Sequence, residues 1–186
     1  MRRNFKFTLG FIGFLWLVFF IDQVLPIDLL HYGISPRSIH GLFGIFFAPF
    51  LHLNMEHLFG NSLVLITLLF VSLGYDFAAT WKAIVIIMVV SGLGTWIFGD
   101  YGVVHFGASV FTYGLLAFLL FAGFFRNNFS SMMETCVVVL IFGDVLWTFL
   151  SIDPGISWSG HFFGFVGGII AAKMLKISQP DKTVDQ

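Results

Sequence analysis

A serine and a histidine stand far apart in this chain, each at the head of an apolar stretch long enough to cross a bilayer. Ser109 lies in the segment HFGASVFTYG and His161 in the segment SWSGHFFGFVGG. Polar and ionisable side chains within membrane spans are costly and usually functional. An imidazole beside a hydroxyl activates that hydroxyl as a nucleophile. The two residues therefore predict hydrolytic chemistry inside a membrane.

The composition predicts an integral membrane protein. Of its 186 residues, 58% are hydrophobic and only 10% are charged, and the mean hydropathy is +0.95, which excludes an ordinary soluble domain. Apolar runs long enough to cross about 30 Å of hydrocarbon as a helix recur along the chain. The predicted spans are residues 7–25, 55–73, 81–98, 108–125, 133–150 and 159–175. We expect an all-α, polytopic bundle of six transmembrane helices that forms a single domain over residues 1–186.

The basic residues predict the orientation of this bundle, because Lys and Arg accumulate in cytoplasmic loops. With six spans, Arg37 falls on one side and all the others on the opposite side, namely Arg2, Arg3, Lys6, Lys82, Arg126, Lys173, Lys176 and Lys182. Residues 1–6 and 177–186 are therefore predicted to be short cytoplasmic segments. The Arg pair before an apolar run also fits a cleaved signal sequence, but no small-residue cleavage site follows. A small core without targeting extensions is compatible with a bacterial inner membrane.

Three polar residues near the start of the second span complete a possible site. His57 and Asn61 share a helix face, being four residues apart. His52 would lie on the opposite face of a continuous helix, so it joins Asn61 only if the helix begins after it. Asn54 is a good N-cap and Glu56 suits the first turn, which predicts that start. We expect His52 and Asn61 to hold an oxyanion and His57 to support the loop or the helix start. The alternative for His57 is that it is only a polar group that forms hydrogen bonds at a helix entrance near the lipid interface.

The fourth and sixth spans have features that would bring the serine and the histidine together. Ser109 is expected in the first turn of its helix, where unpaired N–H groups and the positive dipole end stabilise negative charge. Gly160, Gly164 and Gly168 form a small-xxx-small row that permits close approach of a second helix. His161 lies on or beside that row. If the fourth span is the partner, His161 reaches Ser109 at the same membrane depth.

Together these residues resemble the rhomboid family of intramembrane serine proteases. The motifs are H-x4-H-x3-N at His52, His57 and Asn61, Gly-x-Ser at Gly107 and Ser109, and Gly-His with following glycines at Gly160, His161, Gly164 and Gly168. The resemblance covers the six-helix core and implies that Tyr113 stacks on the catalytic His161. It also implies transmembrane protein substrates that enter sideways from the lipid bilayer, near the fifth span and the loop of residues 151–159. No cofactor or metal is expected, and the oligomeric state does not follow from the sequence.

Two positions depart from the family pattern. Many members carry a Trp-Arg pair in the first loop, whereas Arg37 here has no neighbouring Trp. The residue after the nucleophile is commonly Gly, whereas here it is Val110, which motivates an alternative: a catalytically inactive relative that binds transmembrane clients. A metal enzyme or transporter built on the histidines is a second alternative, and the absence of H-E-x-x-H argues against it.

The remaining expectations concern the loops. The first loop contains the apolar stretch of residues 41–50, which is too short to span and contains glycine and proline. We expect it to form a hairpin lying partly in the outer leaflet. His105 is expected to be solvated, and Asp144, within the fifth span, is given no catalytic role. A net charge of -1 gives no reason to expect a nucleic-acid partner.

Overall fold

A computed structural model of the protein describes residues 1–126, 133, 135–137, 139–143 and 157–175. Its long elements are the helices α1 (Arg2–Val24), α2 (Ile39–Phe47), α3 (Met55–Tyr75), α4 (Phe77–Phe98), α5 (Ser109–Arg126) and α6 (Trp158–Leu175), with short 3-10 helices at Leu29–Tyr32 and Ala48–Phe50. Over these described residues, β-type pairing is limited to one antiparallel bridge between Ile34 and His105. The all-α prediction is confirmed for this part of the chain.

The long helices agree well with the predicted spans. α1, α3 and α4 are each long and apolar enough to cross a bilayer, and residues 109–125 of α5 form a shorter apolar helix. α6 begins one residue before the predicted sixth span and ends with it. The predicted fifth span is helical at each of its described positions, and Asp144 lies outside the described residues.

Polar N-caps determine where two of the long helices begin. The Asn54 side-chain oxygen accepts a hydrogen bond from the His57 backbone N–H at 2.8 Å, with Glu56 in the first turn. This confirms the predicted start of α3. The Asp76 carboxylate caps α4 by accepting from the Ala79 N–H at 2.9 Å. Because Asp76 is also the residue that follows α3, a single residue makes the turn between the two helices.

The first loop does not form the predicted hairpin. The Ser38 hydroxyl caps α2 by accepting from the Gly41 N–H at 2.9 Å, and the helix continues through Gly41 and Gly44. The glycines are required by close backbone approach: a Cβ at Gly41 would collide with the Ser35 carbonyl, and one at Gly44 with the Gly33 carbonyl. Glycines that look like helix breakers in the sequence therefore let α2 pack against the segment leading into it.

Residues 2–6 are helical, because α1 already includes all but the first of residues 1–6. The Asn4 amide donates to the Leu73 carbonyl at 3.0 Å. The Arg3 guanidinium lies 4.0 Å from the centre of the Phe77 ring. These contacts fix the first turn of α1 onto the junction of α3 and α4. The helix therefore begins earlier than the apolar pattern alone predicts.

α6 packs against both α4 and α5 through small residues. A Cβ at Gly168 would collide with the Gly114 carbonyl of α5, and one at Gly167 would lie 3.0 Å from the Ile87 Cα of α4. The sequence left the partner of the glycine row open, and the structure shows that this partner is α5, the helix of the fourth span. The backbones approach this closely only because side chains are missing on one side.

We expect Gly168→Ala to lower the free energy of unfolding by about 1–3 kcal/mol, because the added methyl group overpacks against backbone atoms that have no rotamer to change. Gly60→Ala in α3 is the matched control, since nothing lies within 4 Å of a Cβ there. Unfolding in mixed micelles measures both. Equal stability of the two variants would contradict the close contact.

Candidate active site

The Ser109 hydroxyl and the His161 imidazole are in direct contact. Nε2 of His161 lies 2.9 Å from Oγ of Ser109, a distance suited to proton transfer between them. His161 is only 8% exposed. The Tyr113 ring stacks on it, with centroids 4.1 Å apart and 30° between the planes. The stacking that the resemblance implied is therefore present, and it restricts the orientation of the imidazole.

Ser109 is held at the start of its helix by the turn that precedes it. It is the first residue of α5 and so lies in the first turn, as predicted, at the positive end of the helix dipole. Gly107 has a φ of 121°, which favours glycine, and its N–H donates to the Ala48 carbonyl at 2.8 Å. A Cβ on Gly107 would lie 3.0 Å from the His57 ring. Gly107 thus permits the turn and leaves room for His57.

Gly160 and Gly164 bring the helix of His161 against the helix of Ser109. A Cβ at Gly164 would lie 2.8 Å from the Val110 carbonyl oxygen, and one at Gly160 would lie 3.3 Å from the Val110 Cγ1. A larger residue at Gly164 would meet backbone atoms and push α6 away from α5, whereas one at Gly160 would meet side chains only. The short contact between serine and histidine therefore depends most on Gly164.

His52 and His57 lie side by side at the entrance of α3. Their ring centroids are 5.3 Å apart in an edge-on arrangement, and His52 is 2% exposed. The Ala108 backbone N–H donates to Nε2 of His52 at 3.4 Å, a bond that requires the His52 proton to be on Nδ1. This bond ties His52 to the residue immediately before Ser109. Donation from His52 to an oxyanion would require the proton on Nε2 instead.

Burial of His52 predicts a loss of stability in acid. Burial lowers the pKa of His52 to about 4, assisted by the charge of His57 and opposed by the Phe50 carbonyl. Between pH about 6.5 and 4, the unfolded chain then binds more protons than the folded protein. The free energy of unfolding therefore decreases as the pH is lowered through this range, by up to about 1.4 kcal/mol per pH unit. His52→Gln is expected to flatten this slope in denaturant titrations at several pH values. The same slope in His52→Gln as in the wild type would contradict this assignment to His52. His31→Gln, at an exposed histidine, is the control.

Asn61 provides a buried donor one turn along α3 from His57. Its Nδ2 makes no hydrogen bond within the part of the chain that the structure describes. Leaving a buried amide donor unpaired costs about 1–3 kcal/mol. The Asn61 Nδ2 is therefore available to donate a hydrogen bond to a bound substrate or intermediate.

A cavity of about 20 Å³ adjoins Ser109, which is room for about one water molecule. Its walls include the hydroxyl-bearing residues Ser91 and Thr95 as well as Val110. The Thr95 hydroxyl is buried and has no partner among the described residues. The space beside Ser109 is therefore partly polar and is bordered by the branched side chain of Val110.

Comparison with known protein families matches the Rhomboid domain to residues 40–177. The chain belongs to the rhomboid family. It is similar to uncharacterized proteins of Mycobacterium tuberculosis and Mycobacterium bovis, with 36% identity over 182 residues, covering 94% of this chain and 75% of each relative. An uncharacterized protein of Mycobacterium leprae is 33% identical over 185 residues, covering 94% of this chain and 71% of that protein. The family and the apolar helices make this chain an integral membrane protein, an intramembrane protease or a relative of one.

This rhomboid fixes its first loop without an adjacent Trp-Arg pair. The Arg37 guanidinium donates to the Ile97 carbonyl in the last turn of α4 at 2.8 Å and lies 5.7 Å from the centre of the Tyr101 ring. The Trp96 indole N–H donates to the Ser38 carbonyl at 2.8 Å. An arginine of the loop and a tryptophan of α4 therefore join the two segments.

The structure of this rhomboid adds His105 and Ser157 to the residues near the site. His105 is 5% exposed, so the expectation that it is solvated is wrong. Its backbone pairs with Ile34 in both directions, which carries the side chain inward. Nδ1 of His105 lies 2.8 Å from Oγ of Ser157, and that oxygen accepts from the Gly160 N–H at 3.2 Å. The available sequence signal was a serine at the N-cap position of the sixth span.

Proposed function

We propose that this rhomboid is a serine endopeptidase that cleaves transmembrane segments through a dyad of Ser109 and His161. The observation that carries the proposal is the 2.9 Å contact between Nε2 of His161 and Oγ of Ser109. A nucleophile within reach of an oriented base is the arrangement that acyl transfer requires. The sequence of α6 contains no Asp or Glu, so the stacked Tyr113 takes the orienting part that a carboxylate plays in a triad.

The reaction follows from the positions of these atoms. Nε2 of His161 removes the proton from Ser109 as Oγ attacks the carbonyl carbon of the scissile peptide bond. The imidazolium then gives this proton to the amine nitrogen as the C–N bond breaks, leaving an ester on Ser109. His161 next deprotonates a water molecule that attacks the ester, and the proton returns to Ser109 as the carboxyl product leaves.

The negative charge of the tetrahedral intermediate needs hydrogen-bond donors. We assign this part to the Ser109 backbone N–H, the Asn61 amide and the His52 ring, whose proton would move to Nε2 as the bond from the Ala108 N–H is given up. Support comes from the place of Ser109 in the first turn of α5 and from the unpaired, buried Nδ2 of Asn61. Preorganised donors of this kind act strongly in a site that excludes bulk water.

The proposal includes the arrangement in the membrane. Residues 1–186 would form one domain of six spans in a bacterial inner membrane, with both termini in the cytoplasm and the site open to the extracytoplasmic side. The distribution of Lys and Arg supports this orientation. Suitable substrates are transmembrane helices weakened by Gly or Pro, whose backbone can unwind into the site. The proposed entry, near the fifth span and residues 151–159, lies mostly outside the described residues.

A serine-directed fluorophosphonate probe and a single-span substrate in liposomes test the proposal. We expect the probe to be found on Ser109 by peptide mapping and the substrate to be cut within its span. Labelling of other residues only, with no cleavage, would contradict the proposal. Full cleavage by Ser109→Ala would do the same.

A second candidate function is favoured by Val110. Its Cγ1 approaches Gly160, and it borders the cavity beside Ser109. A branched side chain there narrows the space available to the reacting group. The protein would then bind transmembrane clients without cutting them. A folded protein that captures a single-span helix but does not react with the probe would favour this candidate.

A further inference from the structure

We propose that His105 is a positioning residue that holds Ser109 and His161 in register by binding Ser157. The inference rests on the proposed function and adds a second connection between the two segments that carry the dyad. His105 precedes Ser109 by four residues, and Ser157 precedes His161 by four. The bond between His105 and Ser157 therefore repeats, four residues earlier on both segments, the contact between Ser109 and His161.

The two contacts differ in the structure around them. The contact of the dyad joins the first turns of α5 and α6, whereas the bond of His105 joins the segments that lead into those helices. At 2.8 Å it is the shorter of the two, against 2.9 Å. His105 is itself fixed, since its N–H and carbonyl each pair with Ile34 at 2.9 Å.

Ser157 transmits this constraint to the helix of His161 through three further bonds. Its Oγ accepts from the Gly160 N–H at 3.2 Å and lies 3.4 Å from the Ser159 Oγ, and its carbonyl accepts from the His161 N–H at 3.2 Å. The Ser157 oxygen has two lone pairs, which can accept from the Gly160 N–H and the Ser159 hydroxyl, so its own proton can go to Nδ1 of His105. Moving Ser157 would therefore move the first turn of α6, and with it the imidazole.

The expected effect is a loss of turnover with little change in substrate binding. His105→Ala and Ser157→Ala are each expected to lower kcat about tenfold, the effect of one lost buried hydrogen bond on the placement of a general base. KM is expected to stay the same, because the lost bond acts on the position of His161, which transfers protons and is given no part in substrate binding. The double variant is expected to be no slower than Ser157→Ala, since Ser157→Ala already removes the bond that His105→Ala removes, together with the bond from Gly160.

Conservative variants distinguish positioning from general support of the fold. Ser157→Thr keeps the hydroxyl, and His105→Asn keeps a polar group near the place of Nδ1, so both are expected to recover most of the lost kcat. His31→Ala, at an exposed site, is the matched histidine control. Equal losses in Ser157→Ala and Ser157→Thr would overturn the proposal, as would a wild-type kcat in both alanine variants.

A measurement on the ground state separates this inference from the proposed function. In the ¹⁵N-histidine NMR spectrum of the full-length protein, the Nε2 signal of His161 reports its hydrogen bond to Ser109. We expect this signal to shift in Ser157→Ala and to return in Ser157→Thr. An unchanged signal would overturn the positioning even in an active protease. A shifted signal in a protein without proteolytic activity would support the positioning while contradicting the proposed function.

Discussion

Replacement of Ser109 or His161 with alanine is expected to lower kcat for cleavage of a single-span substrate by roughly 10⁴- to 10⁶-fold, because each removes one end of the same proton transfer. The contact of 2.9 Å leaves no place for a water molecule to act as an intermediate base between the two atoms. Initial rates in liposomes measure the effect. Binding of the substrate is expected to be retained, so the loss falls on kcat and not on KM.

The double variant tests whether the two residues form one unit. Ser109→Ala combined with His161→Ala is expected to be no slower than either single variant, whereas independent contributions would multiply. Ser72→Ala is the matched control for a buried serine, since its hydroxyl contacts Thr80 at 3.0 Å, away from the dyad. Multiplicative losses, or an equally inactive Ser72→Ala variant, would contradict a dyad.

Features set by nearby residues could be predicted from the sequence. The start of α3 follows from Asn54, because a capping side chain acts on N–H groups within three residues. The close approach of a neighbouring helix to α6 follows from glycines spaced four apart, which lie on one helix face whatever surrounds them, although the spacing does not say that this neighbour is α5. The same local geometry placed Ser109 in a first turn. The elements of the candidate site were thus predictable wherever a single helix determined them.

Features that depend on distant segments could not be predicted in the same way. His105 is polar and lies between two spans, which is typical of a solvated loop residue. Its burial depends on pairing with Ile34, a contact between segments far apart in sequence. The glycines of α2 were misleading for a similar reason, since Gly41 serves a close approach of Ser35 that only the folded loop creates. No local pattern contains either contact.

Asn61→Ala is expected to slow catalysis without destabilising the protein. Loss of one oxyanion donor lowers kcat by about 10²- to 10³-fold. The folded state loses no hydrogen bond of Nδ2, because this buried atom makes none within the described residues. Its removal also relieves the cost of burying an unpaired donor. The free energy of unfolding is therefore expected to stay the same or to rise. Rates in liposomes and unfolding in mixed micelles measure the two quantities on the same preparation.

The neighbouring Ser62 gives the opposite pattern and so serves as the matched control. Its Oγ accepts from the Trp16 indole N–H at 3.1 Å and donates to the Leu58 carbonyl at 2.7 Å. Ser62→Ala is therefore expected to cost about 1 kcal/mol or more of stability, because a buried donor loses its acceptor, while kcat is retained. Two adjacent residues of α3 would then separate stability from catalysis. An Asn61→Ala variant that loses stability and keeps its kcat would instead make Asn61 a structural residue and remove it from the oxyanion site.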